Sequence, residues 1–385
     1  MEKSSSNSFS HDGLGIAGNA LQSRLNLAGI VLNGSNPWDI QVRNKSMFSR
    51  VLLGGSLALG ETYVEGQWDA DQPDELIHRL LCSPLGARNN YLSHRLSRLA
   101  SYLFNLQKKS RAFQVGESHY DLGNDIYQAM LDKNMAYTCA YWRNARNLDQ
   151  AQEDKLELVC RKLELKPGMR VLDIGCGWGS FAKYAAERYG VHVVGITVSR
   201  EQVALGEKRC QGLPVEFRLQ DYRDVDEKFD AVVSLGMFEH VGHKNYRVFM
   251  KILKRCLKHE SLALLHTIGK NDSALGVDPW ISRYIFPNGE IPSLKQISEA
   301  MEKPRLVIED VHNFGPDYDR TLMAWYHNFD RNWYSLKHNY SESFYRMWSY
   351  YLRICAGAFR ARDLQLWQFV ISKGNSTSAY RRPFV

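Results

Sequence analysis

The sequence has no C-x-x-C pair. Its seven cysteines, at 82, 139, 160, 176, 210, 256 and 355, are scattered and odd in number. That excludes a zinc ribbon and a disulfide framework, and it fits reduced thiols in the cytosol with no metal site. Also missing is any apolar run of the roughly 18–20 residues that a membrane span needs. Met1–Ala20 is rich in Ser and Gly without an apolar core, which predicts a flexible tail and no signal peptide. Internal repeats are absent. What is present is 385 residues, enough for one large or two ordinary domains. Lys and Arg number 49 against 42 Asp and Glu, a net charge of +7 that suits an anionic partner, either nucleic acid or an anionic membrane surface. No clustered basic and stacking motif accompanies that charge, so no nucleic-acid partner is expected.

Residues 21–111 read as a small mixed module: short helices near Leu21–Ile30, Met47–Leu53 and Asp74–Leu81, and a strand at Ile40–Val42. Its last stretch places Leu92, Leu96, Leu99, Leu103 and Leu106 at helical spacing beside Arg95, Arg98, Lys108, Lys109 and Arg111. A basic amphipathic helix of this kind can lie on an anionic bilayer; the plainer alternative is that the stripe packs on the neighbouring domain. A polar, basic stretch at Lys108–Gly116 marks the boundary to a second domain, 112–385.

In that second domain hydrophobic runs alternate with helical spacing. Strands are expected at Val171–Ile174, Val191–Thr197, Val215–Leu219, Phe229–Leu235 and Ser261–His266, with helices between them, and later strands at Val307–Val311 and Trp367–Ile371. The alternation predicts an α/β fold with a doubly wound, mostly parallel sheet. Gly269–Pro292, irregular and aromatic, reads as an insertion over the ligand-binding edge. Arg170–Ser180 (RVLDIGCGWGS) is the centre of the pattern: an apolar run breaks into alternating glycines before a helix. Glycines there permit a tight turn and a close approach of ligand to backbone. Candidate ligand-binding residues fall at the strand ends: Gly175, Cys176 and Gly177; Thr197 and Gln202; Asp221 and Tyr222; and Met237–His240.

The glycine loop resembles the D-x-G-x-G-x-G motif of Rossmann-like, class I S-adenosylmethionine-dependent methyltransferases, which implies a seven-stranded sheet. HYDLGND, YTCAYW, VLDIGCGWG, GMFEHVG, HTIG, YIFPNG and CAGAFR then occur in that order. Together they resemble the bacterial cyclopropane-fatty-acyl-phospholipid synthases and the related mycolic acid cyclopropane synthases. The resemblance runs from about Leu21 to Lys373, and the N-terminal module favours phospholipid as substrate. It implies an S-adenosylmethionine site containing Tyr137, Thr138, Asp173, Gly175, Cys176, Gly177, Thr197, Gln202, Asp221, Tyr222 and Phe238. The chain departs from many methyltransferases in carrying Thr197 where an acid commonly binds the ribose.

The same resemblance implies a bound bicarbonate held by Cys139, Glu239, His266, Tyr318 and the Ile268 backbone, and it offers Cys355 as a second, doubtful catalytic thiol. It further implies a homodimer acting peripherally on the phospholipid bilayer at the inner face of the cell membrane. Chemically the set is coherent, because attack of an alkene on a sulfonium methyl leaves a carbocation that needs a dry site, aromatic faces and a base. Tyr137, Tyr141, Phe238, Tyr284, Phe286 and Tyr318 are the candidate aromatics. Taken singly, each residue has a plainer reading: a Cys on an aromatic segment is commonly a small buried hydrophobe, and a His ending a strand is commonly just hydrogen-bonded in place. An ordinary methyltransferase, or a lipid-binding protein that keeps the fold without catalysis, are the competing functions.

Overall fold

Five segments rich in Val, Ile, Leu and Ala, each bounded by turn residues, form the parallel part of a seven-stranded sheet. The structure, a computed structural model, describes residues 13–86, 123–374 and 380–383. Those five strands are β3 (Arg170–Ile174), β4 (His192–Thr197), β5 (Val215–Leu219), β6 (Phe229–Leu235) and β7 (Leu257–Lys270). With β8 (Val307–Asn313) and β9 (Leu364–Ser372) they are ordered β5-β4-β3-β6-β7-β9-β8. β9 runs antiparallel to both of its neighbours. The order reverses between β3 and β6, and such a switch point opens a crevice at the carboxyl ends of the strands. β7 begins at Leu257, four residues before the expected Ser261, and it runs on to Lys270.

Helices cover both faces of the sheet. α5 (Leu148–Lys162) starts at Asn147, whose side chain accepts the Gln150 N–H; such a cap satisfies one of the unpaired N–H donors of a first turn. α6 (Ser180–Tyr189) and α7 (Arg200–Arg209) follow β3 and β4, and α8 (Tyr246–Cys256) precedes β7. The Gly269–Pro292 segment contains a short helix, α9 (Pro279–Tyr284), capped by Asp278. α10 (Leu294–Glu302) is opened by a reciprocal Ser293–Gln296 capping box. Two long helices, α11 (Pro316–Leu336) and α12 (Glu342–Arg360), cross the site end of the sheet.

The N-terminal module contains α1 (Gly15–Leu25), α2 (Met47–Val64), α3 (Pro73–Cys82) and a two-stranded ribbon, β1 (Gln41–Val42) with β2 (Trp68–Asp69). α1 begins at Gly15, inside the stretch expected to be tail, because Gly18, Leu21 and Leu25 form a buried face. Tyr63 of α2 stacks on Tyr350 of α12 at 4.9 Å, and Trp280 of α9 meets Tyr350 at the same distance. Arg360 of α12 pairs with Asp74 of α3 at 2.9 Å. Leu21, Phe48, Trp68, Trp280, Tyr351 and Phe359 accordingly belong to one hydrophobic core. The Leu92–Arg111 stretch and the expected boundary at 108–116 lie outside the described residues. α4 (Asn124–Met130) opens the described part of the second domain. Among the described residues no helix is long and apolar enough to cross a membrane, and no group of His, Cys, Asp or Glu is arranged to hold a metal ion.

Candidate active site

A cleft, open at its mouth, lies over the carboxyl ends of β3, β4 and β6. Tyr137, Thr138, Asp173, Gly175, Cys176, Gly177, Thr197, Gln202, Asp221 and Tyr222 all line it. Gly175 and Gly177 have φ of 80° and 54°, a left-handed backbone that any side chain would strain. Thr197 Oγ1 donates to Gln202 Oε1 at 2.6 Å, which orients the amide and leaves its NH₂ group as the remaining donor. Asp221 Oδ1 accepts the Arg223 N–H at 2.9 Å, fixing the carboxylate at the end of β5. Phe238 does not line the cleft. It is fully buried and stacked on Tyr246 at 4.4 Å, so its place is in the core beneath.

One cleft residue that the sequence reading missed is Lys155. It is wholly buried on α5, and Nζ donates to Thr138 Oγ1 at 2.8 Å. Burial lowers its pKa to about 8, against the pull of Asp132, Cys139 and Asp173. Asp173 has the complementary shift: burial raises it to about 7, opposed by Lys155. The available signal was the α5 pattern itself, in which Gln152, Lys155 and Lys162 occupy the buried stripe with Leu148, Leu156 and Val159. Met237 and His240 also line the cleft.

Beside the cleft, the 137–142 segment is fastened to α11 by the Thr321 hydroxyl, by the Asp317 carboxylate, which accepts the Trp142 N–H at 2.7 Å, and by Arg320, which donates to the Trp142 carbonyl at 3.2 Å. Thr321 Oγ1 accepts from the Ala140 N–H (3.1 Å) and from Trp142 Nε1 (2.9 Å), and it donates to the Asp317 carbonyl (2.7 Å). This holds Cys139, fully buried, with its thiol 4.0 Å from Thr321 Oγ1. Burial pushes that thiol far above its ordinary pKa, so it is a neutral S–H and not a thiolate. Glu239 arrives on the short 3₁₀ turn after β6, and its Oε1 accepts the Ile268 N–H at 2.7 Å. The Ile268 N–H thus positions Glu239.

His266 lies two residues earlier on β7, opposite Leu235 of β6. Its Nδ1 faces Gln368 Nε2 at 3.2 Å, while Nε2 is buried without a partner. Glu239 Oε2 is likewise buried and unpartnered. Orphaned polar atoms are uncommon in protein interiors and call for an explanation. Burial raises the Glu239 carboxyl to about pKa 7, and it lowers His266 well below the usual imidazole range. Burial drives the phenol of Tyr318, on α11 near Cys139 and Glu239, well above its ordinary pKa.

Around this cluster the aromatics divide. Tyr137 and Tyr351 share a hydroxyl–hydroxyl hydrogen bond of 2.8 Å, Phe286 meets Tyr351 edge-on at 5.8 Å, and Tyr318 packs on Phe359 at 4.5 Å. Tyr141 sits farther along, against Phe314, which in turn contacts His266. Tyr284 stands apart: it is half exposed, and its hydroxyl donates to Glu61 of the N-terminal module at 2.9 Å. Tyr351 was not anticipated, since a tyrosine inside a long apolar helix reads as core. Cys355 lies one turn beyond it, and burial pushes its thiol up to about 12. A thiol so disfavoured as thiolate is a poor nucleophile. Cys355→Ser is therefore expected to retain most of the turnover rate, and a loss approaching that of a Glu239 variant would reverse this assignment.

The profile of the mycolic acid cyclopropane synthetase family matches residues 107–369, about two thirds of the sequence. The chain belongs to that family. It is 55% identical to the cyclopropane-fatty-acyl-phospholipid synthase of Escherichia coli K12 over 354 residues, covering 91% of this chain and 92% of that protein. The structure of the cyclopropane synthase MmaA2 from Mycobacterium tuberculosis superposes with a TM-score of 0.64 at 31% identity, covering 70% of this chain and 99% of that one. Mycolic acid cyclopropane synthase CmaA1, solved with S-adenosylhomocysteine and CTAB, gives 0.63 at 32% identity over 67% and 97%. The sheet is that of the class I methyltransferases, and family membership makes the chain an enzyme of the methyltransferase class.

The buried carboxyl of this cyclopropane synthetase family member has a thermodynamic consequence. Glu239 keeps its proton up to about pH 7 in the folded chain but releases it near the ordinary 4.5 when unfolded. Between those values the native state binds more protons, so stability from this group is fully present below about 4.5 and is lost as pH rises through about 7. The loss is on the order of 3 kcal/mol. Urea unfolding at the two ends of that window should show Glu239→Gln gaining on the wild type as pH rises; a pH-independent difference would refute it.

Proposed function

We propose that this enzyme transfers a methylene group from S-adenosylmethionine to the cis double bond of unsaturated acyl chains in membrane phospholipids, closing a cyclopropane ring. The observation that carries the reading is the pair of buried, unpartnered atoms, Glu239 Oε2 and His266 Nε2, close to an aromatic wall and next to the glycine-loop cleft. Methyl transfer to a nitrogen or oxygen leaves no carbocation, so it needs no anion-bound base beside an aromatic wall. Phospholipid as the substrate class is supported by the near full-length likeness to the E. coli enzyme, N-terminal module included.

The cleft residues have the chemistry for the cofactor. Gly175, Cys176 and Gly177 give backbone access for the methionine portion, the Gln202 amide suits the ribose, and Asp221 with Tyr222 suits the adenine amine and ring face. When bound, S-adenosylmethionine supplies a methyl group on an electrophilic sulfonium. The alkene π electrons would form the new C–C bond as the methyl–sulfur bond breaks, its electron pair leaving on the sulfur of S-adenosylhomocysteine, and a cation would remain on the adjacent acyl carbon. Tyr137, Phe286, Tyr318 and Tyr351 offer ring faces to that cation, each worth about 0.5–2 kcal/mol. Removal of a proton from the added carbon lets its C–H electrons close the ring.

Cys139, Glu239, His266 and Tyr318 are the residues that would hold bicarbonate, whose chemistry there is that of a proton acceptor. They fit it: a carboxyl poised near neutrality can exchange a proton with a bound anion, and His266 Nε2 lacks a partner. The Ile268 N–H acts one step back, by orienting Glu239. The proposal extends to a cytoplasmic homodimer working peripherally on the bilayer, supported by the net positive charge and the basic stretch at 95–111. Expression in bacteria followed by lipid mass spectrometry tests it. A gain of one CH₂ confined to chains with a double bond is expected; methylation of an amine with unsaturated lipids unchanged would replace this reading by ordinary methyl transfer.

A further inference from the structure

We infer that Lys162 and Gln368 are positioning residues that lock His266 in the tautomer with its proton on Nε2. Strand register brings the parts together. His266 of β7 is paired with Gln368 of β9, and Gln368 with His312 of β8, so the three form a row across adjacent strands. Lys162, the last residue of α5, reaches this row with a side chain that has no exposed surface. Its Nζ lies 2.9 Å from Gln368 Oε1, 3.2 Å from His312 Nδ1 and 3.6 Å from Asp310. Arg382 pairs with the same Asp310 on its other side.

Donor and acceptor chemistry then runs in one direction. Lys162 Nζ donates to the Gln368 carbonyl oxygen, the only acceptor that amide has for it. Burial lowers the Lys162 pKa to about 7, with Arg382 acting the same way and Asp310 opposing, so the ammonium that holds this orientation most firmly prevails below neutrality. With Oε1 fixed, the Gln368 NH₂ group is turned to His266 and donates to Nδ1 at 3.2 Å. A neutral imidazole whose Nδ1 accepts carries its hydrogen on Nε2. That nitrogen is the one left buried without a partner. The fixed N–H is therefore a hydrogen-bond donor built for an acceptor that enters the site. In the resting enzyme His266 holds an anion and does not take a proton, which leaves proton transfer to the Glu239 side.

The tautomer is independent of the proposed function; its catalytic meaning rests on that reading. Long-range proton–nitrogen NMR on the full-length, ¹⁵N-histidine-labelled protein observes it directly, with His266→Gln identifying the signal. The wild type should show a bare Nδ1 and a protonated Nε2, and the opposite pattern overturns the inference whatever the variants do. Gln368→Glu replaces the NH₂ donor by an acceptor, keeps the partner of Lys162, and should move the imidazole proton to Nδ1. Its kcat should fall by about 10- to 100-fold, the usual scale for groups that orient a functional histidine, with KM for S-adenosylmethionine unchanged. Lys162→Arg should preserve the wild-type tautomer and Lys162→Met should mix the two. Unchanged tautomer and rate in Gln368→Glu would refute the relay. If the tautomer is as stated but the rate in decarbonated buffer does not respond to added bicarbonate, the relay stands and the anion reading fails.

Discussion

Glu239→Gln is expected to slow ring formation by about 10²- to 10⁴-fold, the range for removing a general acid–base group, while leaving S-adenosylmethionine affinity intact. The substitution is isosteric, so Oε1 still accepts from the Ile268 N–H and the turn after β6 keeps its geometry. What disappears is the second oxygen's ability to take or give a proton. Glu239 does not line the cofactor cleft, which is why binding and chemistry should separate. Single-turnover rates on vesicles of unsaturated phospholipid, beside calorimetric titration with S-adenosylhomocysteine, check both halves. A parallel loss of affinity would mean that Glu239 serves the cofactor and not the reaction.

Gly177→Ala should lower cofactor affinity by more than about tenfold, a difference of about 1.4 kcal/mol, and Gly175→Ala should damage the fold as well. The two positions differ in their surroundings. A Cβ at Gly175 would stand 2.7 Å from the Cβ and Cγ of Met237, whereas one at Gly177 meets no protein atom within 4 Å. At Gly177 the added methyl projects from the cleft-lining loop and must share space with the ligand. Both carry the left-handed penalty of roughly 1–2 kcal/mol, so a control is needed. Gly212 has φ of 82° and equally open surroundings but lies outside the cleft. Gly212→Ala should match the thermal destabilisation of Gly177→Ala and bind the cofactor normally. Equal affinities for the two variants would mean that backbone strain, and not ligand contact, explains the glycine.

The cleft was legible in the sequence because it follows from alternation. Once β3, β4, β5 and β6 are recognised, the residues at their carboxyl ends are fixed by chain direction, and Gly175, Thr197, Gln202 and Asp221 come with them. Phe238 shows the limit of that logic. It follows a strand end as the others do, yet a 3₁₀ turn sends its ring downward onto Tyr246 and its neighbour Glu239 toward Ile268. Which side of a tight turn faces the ligand depends on packing that no local pattern encodes.

Lys155, Lys162 and Gln368 were harder for a different reason. Each is a polar residue on an otherwise apolar stripe or strand, a signal visible in the sequence. Their partners, however, sit 17 to 206 residues away in the chain and are brought near only by the finished sheet. Strand polarity was similarly hidden: Trp367–Ile371 reads as a strand in either direction, and only its place between β7 and β8 makes it antiparallel.

The shared core of α2, α3, α9 and α12 bears on how the molecule comes apart. Tyr63 stacks on Tyr350 and Trp280 meets the same ring edge-on, and Arg360 ties α12 to Asp74 at one end and Asp319 of α11 at the other. An added Cβ at Gly357 on α12 would collide with the backbone of Asp74, so these helices touch too closely to slide. Calorimetry should accordingly record one cooperative melting transition, with amide exchange in α2 and α3 slowed to the rate of the helices over the sheet. The N-terminal module shares its core with the helix that carries Tyr351, so its removal is expected to expose that helix and lower the melting temperature of the site.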